Sequence, residues 1–202
     1  MSDFPPGPFQ VIYADPPWRW KAWSSAGEGK SAVQHYGVMD EAAIAALPVA
    51  GAAARDAVLF LWVIQSMLPD ALRLVEAWGF ELKTVGFVWV KIKGAAEREG
   101  QGRLFYAGED VRMGMGYHTR AGAEQCWLAT RGRGYDRLAK GEAQVVFAPL
   151  REHSRKPDEI ADAIVRLTGD VPRLEMFART RRPGWAAWGN QVERFAGGEA
   201  AE

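Results

Sequence analysis

Apolar and polar positions along this chain switch between two periods. Phe9–Ala14 and Ala57–Ile64 are short apolar runs bounded by polar residues. Their length and their β-branched and aromatic members predict strands buried on both faces, as in a parallel sheet. Met67–Trp78 instead carries apolar residues at Leu68, Ala71, Leu72, Val75 and Trp78, which is the spacing of one helix face, and Gly79 ends it. Glu81–Lys91 returns to strand, so residues 57–91 predict a strand–helix–strand unit. Further strands are predicted at Gln144–Ala148 and Arg173–Phe177. Between these two, Ile160, Ile164, Val165 and Leu167 outline a helix. Ser154 can cap it, Pro157 suits its first turn, and Asp158 and Glu159 favour its positive end. Asp40 is the predicted N-cap of a helix over Glu41–Leu47. Ala121–Arg131 predicts a short helical turn running into a strand. The alternation predicts an α/β fold in a single domain over residues 1–202, with residues 1–8 and 196–202 as irregular tails.

Three stretches break the pattern. Trp18–Val38, W-R-W-K-A-W-S-S-A-G-E-G-K-S-A-V-Q-H-Y-G-V, mixes Gly, Ser and Lys with aromatic rings. A connection of that length usually carries function or lacks order; a substrate lid using Trp20, His35 and Tyr36 is the functional expectation. Gly94–Gly116 is polar and glycine-rich, with Arg98, Arg103 and Arg112, and is a candidate nucleic-acid loop. Its G-M-G does not open a helix after a strand, so it is no dinucleotide fingerprint. Arg133–Ala143 reads as a connector.

Composition narrows the class. The 202 residues hold 25 Lys+Arg against 25 Asp+Glu, so any nucleic-acid surface is local rather than global. The single cysteine, Cys126, excludes an internal disulfide and any cysteine-based zinc site, and His35, His118 and His153 lack metal-ligand spacing; no metal is expected. The longest apolar run is too short to span a bilayer, and the N-terminus lacks the basic and apolar regions of a signal peptide. A soluble cytoplasmic protein, with no membrane partner, is the expectation.

The chemistry concentrates at V-I-Y-A-D-P-P-W, residues 11–18. The strand presents Asp15 at its end. Pro16 and Pro17 fix φ, lack N–H groups and push their predecessors into extended backbone. A carboxylate and the Pro16 carbonyl then form a stiff acceptor corner beside the Trp18 ring. Such a corner suits a planar group carrying an NH2, bonded at its edge and stacked on its face.

The D-P-P-W tetrapeptide resembles motif IV of the amino-methyltransferases, and its ending resembles the adenine-N6 group, the MT-A70-like family. Four more segments follow the family's order: H-Y-G-V-M from His35; H-S-R-K-P-D-E, where the family has S-x-K-P-x-E; L-E-M-F-A-R from Leu174; and P-G-W-A-A-W-G-N-Q, ending at Gln191. The small-residue segment with Glu124 before a strand ending in Arg131-Gly132 is similar too; Glu124 is expected to make either a structural hydrogen bond or a substrate contact.

The resemblance implies a Rossmann-like methyltransferase sheet, circularly permuted, with helices on both faces. It implies S-adenosylmethionine as cofactor and adenine N6 as acceptor, in DNA by preference and in RNA as the close alternative. A catalytically inactive nucleic-acid-binding subunit is the reading from another class. Asp15, Pro16, Pro17 and Trp18 take the catalytic corner, and Trp18, Trp20, His35 and Tyr36 the substrate. Lys156 is expected to pair with the cofactor's carboxylate, Arg179 and Gln191 with its ribose, Asn190 with its adenine or ribose, and Asp15 to lie near its ammonium. Arg181 and Arg182 stand where the family has other polar residues. Only about ten residues precede the corner, so the adenine-side contacts of longer relatives are expected to be supplied differently; a homodimer or a partner subunit is the expectation for holding nucleic acid.

Overall fold

The computed structural model describes residues 3–18, 39–94, 110–114, 116, 118–152 and 155–193. The expected lid with Trp20, His35 and Tyr36, most of the Gly94–Gly116 loop and the Ser154 cap lie outside the described residues.

Seven strands form one mixed sheet: β1 (Phe9–Ala14), β2 (Ala53–Val63), β3 (Glu81–Ile92), β4 (Ala123–Arg131), β5 (Val145–Pro149), β6 (Arg173–Met176) and β7 (Ala186–Trp188). Their order is β5-β3-β4-β2-β1-β6-β7. β1 lies parallel to β2 on one side and to β6 on the other. β4 is antiparallel to both β2 and β3. Four helices complete the described fold: α1 (Glu41–Ala45), α2 (Val49–Ala52), α3 (Leu68–Ala77) and α4 (Asp158–Thr168).

The strict alternation of the central strands explains the layers, because successive side chains leave opposite faces. Ile12 and Ala14 of β1 join Leu59, Leu61 and Val63 of β2 on one face, beneath Ile44 of α1 and Ala71, Leu74 and Val75 of α3. Val11 and Tyr13 join Val58, Phe60 and Trp62 on the other, beneath Ile160, Ala161, Ile164 and Leu167 of α4. Helices therefore cover both faces, as expected.

The Asp40 cap acts as read. Asp40 Oδ1 accepts from the Ala43 N–H at 2.7 Å and starts α1. Gly169, at φ 72°, stops α4 where an L-residue would be strained. Two expectations need correction. Residues 121–122 form no helical turn; the segment enters β4 directly, because β4 is paired on both edges. Residues 57–91 are not a simple βαβ pair, since β4 inserts between β2 and β3. Within the closing W-A-A-W segment, for which the sequence predicts no element, Ala186–Trp188 forms an edge strand, β7.

The topology fixes one end of the sheet as the place where chemistry can gather. The carboxyl ends of β1, β2, β3, β5, β6 and β7 all face it, together with the start of β4. β1 is the strand from which the chain leaves toward β2 while β6 lies on its other side. That is a switch point, where open α/β sheets form their ligand crevice.

Candidate active site

Asp15 leaves the end of β1, and the chain past Met176 of β6 leaves beside it, since Ala14 and Met176 are register partners. Between them opens a cleft lined by Tyr13, Asp15, Arg155, Lys156, Glu175, Met176, Phe177, Arg179, Thr180 and Arg182. Phe177 turns the chain out of β6 at φ 58°, a conformation that costs a bulky side chain and recurs at ligand-binding turns. Gly189 packs against that turn. A Cβ there would sit 2.9 Å from the Ala178 carbonyl oxygen and 3.1 Å from the Phe177 carbonyl carbon.

Lys156 precedes α4 and reaches across the sheet end. Its Nζ lies 2.9 Å from Asp15 Oδ2, 3.3 Å from Glu124 Oε2 and 5.3 Å from the centre of the Trp62 ring. Glu124, at the start of β4, also takes Lys91 Nζ at 2.6 Å on Oε1. The result is a row of alternating charge, Lys91–Glu124–Lys156–Asp15, held by four separate segments. Burial alone would raise the Glu124 carboxyl, but Lys156 and Lys91 hold it down at about 2. Burial opposes the charge on Lys156, yet Asp15 and Glu124 raise its pKa above the ordinary lysine value. Glu124, expected to make either a structural hydrogen bond or a substrate contact, is thus an ion-pair partner of two lysines.

The proline corner is tighter than the sequence suggests. The Pro16 carbonyl already accepts the Trp18 N–H at 2.8 Å, so one of its two lone-pair positions is taken, and the Pro17 carbonyl accepts the Met39 N–H. The stacking role expected of Trp18 is corrected. Its indole is only 3% exposed, sits in the core with Val63 and Met67, and donates Nε1–H to the Trp62 carbonyl at 3.3 Å. The ring gains more by burial and a satisfied N–H than by facing water. Trp18→Phe should accordingly lower stability by about 1–3 kcal/mol and leave the KM for nucleic acid within about twofold. Unchanged melting with a raised KM would restore the stacking role.

Arg179 lines the cleft as expected. Asn190 and Gln191 follow β7 at the same end of the sheet but do not line the cleft, and Asn190 is exposed. The motif order therefore brings Asp15, Lys156 and Arg179 together and leaves Asn190 and Gln191 at the margin. Sequence reading missed Glu175 and Arg155, and named Arg182 without giving it a role. The L-E-M-F-A-R motif contains Glu175, and its place on the strand beside β1 is the signal that could have found it.

The charge arrangement fits a zwitterionic, hydroxyl-bearing ligand. Among the described residues, Asp15 Oδ1 and Glu175 Oε1 accept no protein hydrogen bond, whereas Oδ2 and Oε2 do. The two carboxylate oxygens can take an ammonium or hydroxyls, and Lys156, Arg155 and Arg179 beside them can take a carboxylate. Among the described residues no group of three or more His, Cys, Asp or Glu could hold a metal ion, and no helix is long and apolar enough to cross a membrane.

The MT-A70 sequence profile matches residues 9–191, which takes in every strand of the sheet. The chain belongs to the MT-A70 family. Curated relatives agree with MT-A70 membership across nearly its whole length. It is 28% identical over 200 residues to the type II methyltransferase M.MunI from Mycoplasma sp, covering 91% of this chain and 78% of that protein. It is also 28% identical to the N(6)-adenosine-methyltransferase MT-A70-like protein of Drosophila melanogaster and to the human N(6)-adenosine-methyltransferase catalytic subunit METTL3. In both cases 93% of this chain is matched but only 27% and 29% of the relative. The chain spans less than a third of the length of those longer relatives.

Proposed function

We propose that this chain transfers a methyl group from S-adenosylmethionine to N6 of adenine in DNA. The observation that carries the reading is the Asp15 corner: a carboxylate with one oxygen fixed by Lys156 and the other accepting no hydrogen bond from the described residues, at the crevice between β1 and β6.

S-adenosylmethionine, when bound, supplies an electrophilic methyl group on sulfur. Lys156, Arg155 and Arg179 offer cations for its carboxylate, and Asp15 and Glu175 offer acceptors for its ammonium and hydroxyls. Asn190 and Gln191 approach from the end of β7 and are assigned to the far side of the ligand. Asp15 Oδ1 and the remaining lone pair of the Pro16 carbonyl accept the two N6 hydrogens of the target adenine and so orient its lone pair. Most of the acceleration comes from that positioning and from negative charge placed where N6 becomes positive. The proton leaves N6 after transfer, with Asp15 as its first acceptor. The stacking face that Trp18 does not offer is assigned to Trp20, His35 and Tyr36. In a duplex the base must first be flipped out, at a cost of a few kcal/mol that stacking offsets.

DNA is preferred because a relative of which this chain spans 78% is a type II methyltransferase. The N(6)-adenosine-methyltransferases, equally identical in sequence, favour RNA as the second reading. Incubation with methyl-labelled cofactor and, separately, DNA and RNA, followed by nucleoside analysis, decides between them. N6-methyldeoxyadenosine is the expected product; label confined to adenosine in RNA would replace DNA as substrate. Cofactor binding without any label transfer would support the inactive-subunit reading.

A further inference from the structure

Two adjacent arginines follow β6 and behave differently. Arg181 is exposed and pairs with Glu193 at the surface. Arg182 is largely buried, with 16% of its side chain exposed, and lines the cleft. Its Nε lies 3.0 Å from Glu175 Oε2 on β6, and its Nη2 lies 2.6 Å from Asp158 Oδ1 on the first residue of α4. The other Asp158 oxygen is held by Arg151 and Arg155. One planar guanidinium therefore ties the strand that floors the cleft to the helix start that follows Lys156. A fork geometry can satisfy two carboxylates at once, which an ammonium on a flexible stem does poorly.

We propose that Arg182 is a positioning residue of the methyl-donor pocket: it holds Glu175 by Oε2 so that Oε1 is turned to the ligand, and fixes the start of α4 against β6. The inference rests on the methyl-donor reading above. A free arginine would repel a sulfonium ligand. Arg182 does not act as one, because Glu175 and Asp158 balance it, leaving the cleft with open acceptors. Removing it would leave two carboxylates facing each other in a half-buried wall, with Asp15 close by.

The direction of the effect follows from the groups around Glu175. Burial raises its carboxyl above the ordinary value; Arg182 pulls it down, while Asp158 on α4 and Asp15 after β1 push it up. Tyr13 on β1 also faces it, and Arg155, Lys156 and Arg179 line the same cleft. Without Arg182 the carboxyl rises further, so it takes up a proton at higher pH and stops serving as a charged acceptor.

Calorimetric titration of S-adenosylmethionine into wild-type protein, Arg182→Ala, Arg182→Lys and the Arg181→Ala control, from about pH 5.5 to about pH 8.5, tests this. Arg182→Ala should bind the donor at least about tenfold more weakly, the size of one lost charge-assisted contact. The deficit should grow toward acid, and kcat at saturating donor should stay within about threefold. Arg182→Lys should recover part of the affinity, and Arg181→Ala should match wild type. Unchanged affinity in Arg182→Ala, or a lowered melting temperature without acid-dependent weakening, overturns the proposal. If Arg182→Ala does not fold, Arg182→Lys carries the same test through its smaller, acid-dependent loss. Wild-type protein that binds no donor refutes the methyl-donor reading itself, and this role of Arg182 with it.

Discussion

Asp15→Ala should reduce methyl transfer roughly a thousandfold, the scale on which one preorganised transition-state contact is removed, while the protein stays folded. Both halves of the expectation come from the geometry. Asp15 stands past the end of β1, so its side chain contributes nothing to the sheet or to either apolar layer. Its Oδ2 pairs with Lys156 at 2.9 Å, and its Oδ1 accepts no bond from the described residues. Breaking a buried pair usually costs about 3–5 kcal/mol, because the surviving charge is stranded. Here it is not stranded: Lys156 keeps Glu124 at 3.3 Å and the Trp62 ring at 5.3 Å. The stability loss should therefore stay below about 3 kcal/mol. Asp15→Asn, which retains an acceptor but not the charge, should fall between the two enzymes. Thermal unfolding and initial methylation rates on the same preparations check both claims. A variant that transfers methyl groups at the wild-type rate would remove the proline corner from the mechanism.

What the sequence made visible follows from how far apart the cause and its effect lie along the chain. β1, the centre of β2 and α4 were legible because each carries its own period: Val11–Ala14, Val58–Val63 and Ile160–Leu167 need no partner to declare themselves. The meeting of Asp15 with Lys156, 141 residues away, was legible only through motif order. The insertion of β4 between β2 and β3 was not, because antiparallel pairing at long range leaves no local trace. β7 escaped for a different reason. Ala186-Ala187-Trp188 is three residues long, has weak strand preference, and is a strand because β6 offers it an edge. Trp18 shows the sharpest ambiguity. An indole after two prolines can stack on a ligand or plug a core equally well, and the deciding partner, the Trp62 carbonyl, is 44 positions on. Lys91 joined the site in the same hidden way, through the β3–β4 register that sets it beside Glu124.

Lys156→Met should damage both the chemistry and the acid branch of the stability curve. Lys156 is the only cation within reach of both Asp15 and Glu124 among the described ion pairs. Its loss strands Asp15 and leaves Glu124 to Lys91 alone, at a cost of up to about 3–5 kcal/mol at neutral pH, and frees Asp15 from its fixed orientation, so transfer should drop about a hundredfold or more. The pH dependence gives the signature. Glu124 titrates at about 2 in the folded protein, below its unfolded value of about 4.3. A depressed folded pKa stabilises above the unfolded value and loses that contribution as pH falls. Wild-type stability should therefore decline between about pH 5 and pH 2, with Asp158, also held at about 2 by Arg151 and Arg182 against its burial, adding to the same window. In Lys156→Met the Glu124 value moves part of the way back up, since Lys91 still holds it, so the Glu124 part of that decline shrinks while the Asp158 part remains. Lys156 itself contributes the other limb: its folded value is raised, so its stabilisation is complete below about pH 10 and is lost only in stronger alkali. Urea unfolding of both proteins at neutral pH and near pH 3 reads this directly. The gap between them should be widest at neutral pH and narrow in acid. An equal gap at both would mean that Lys156 supports the fold through its packing on Trp62, and that the row of alternating charge does not stabilise the site.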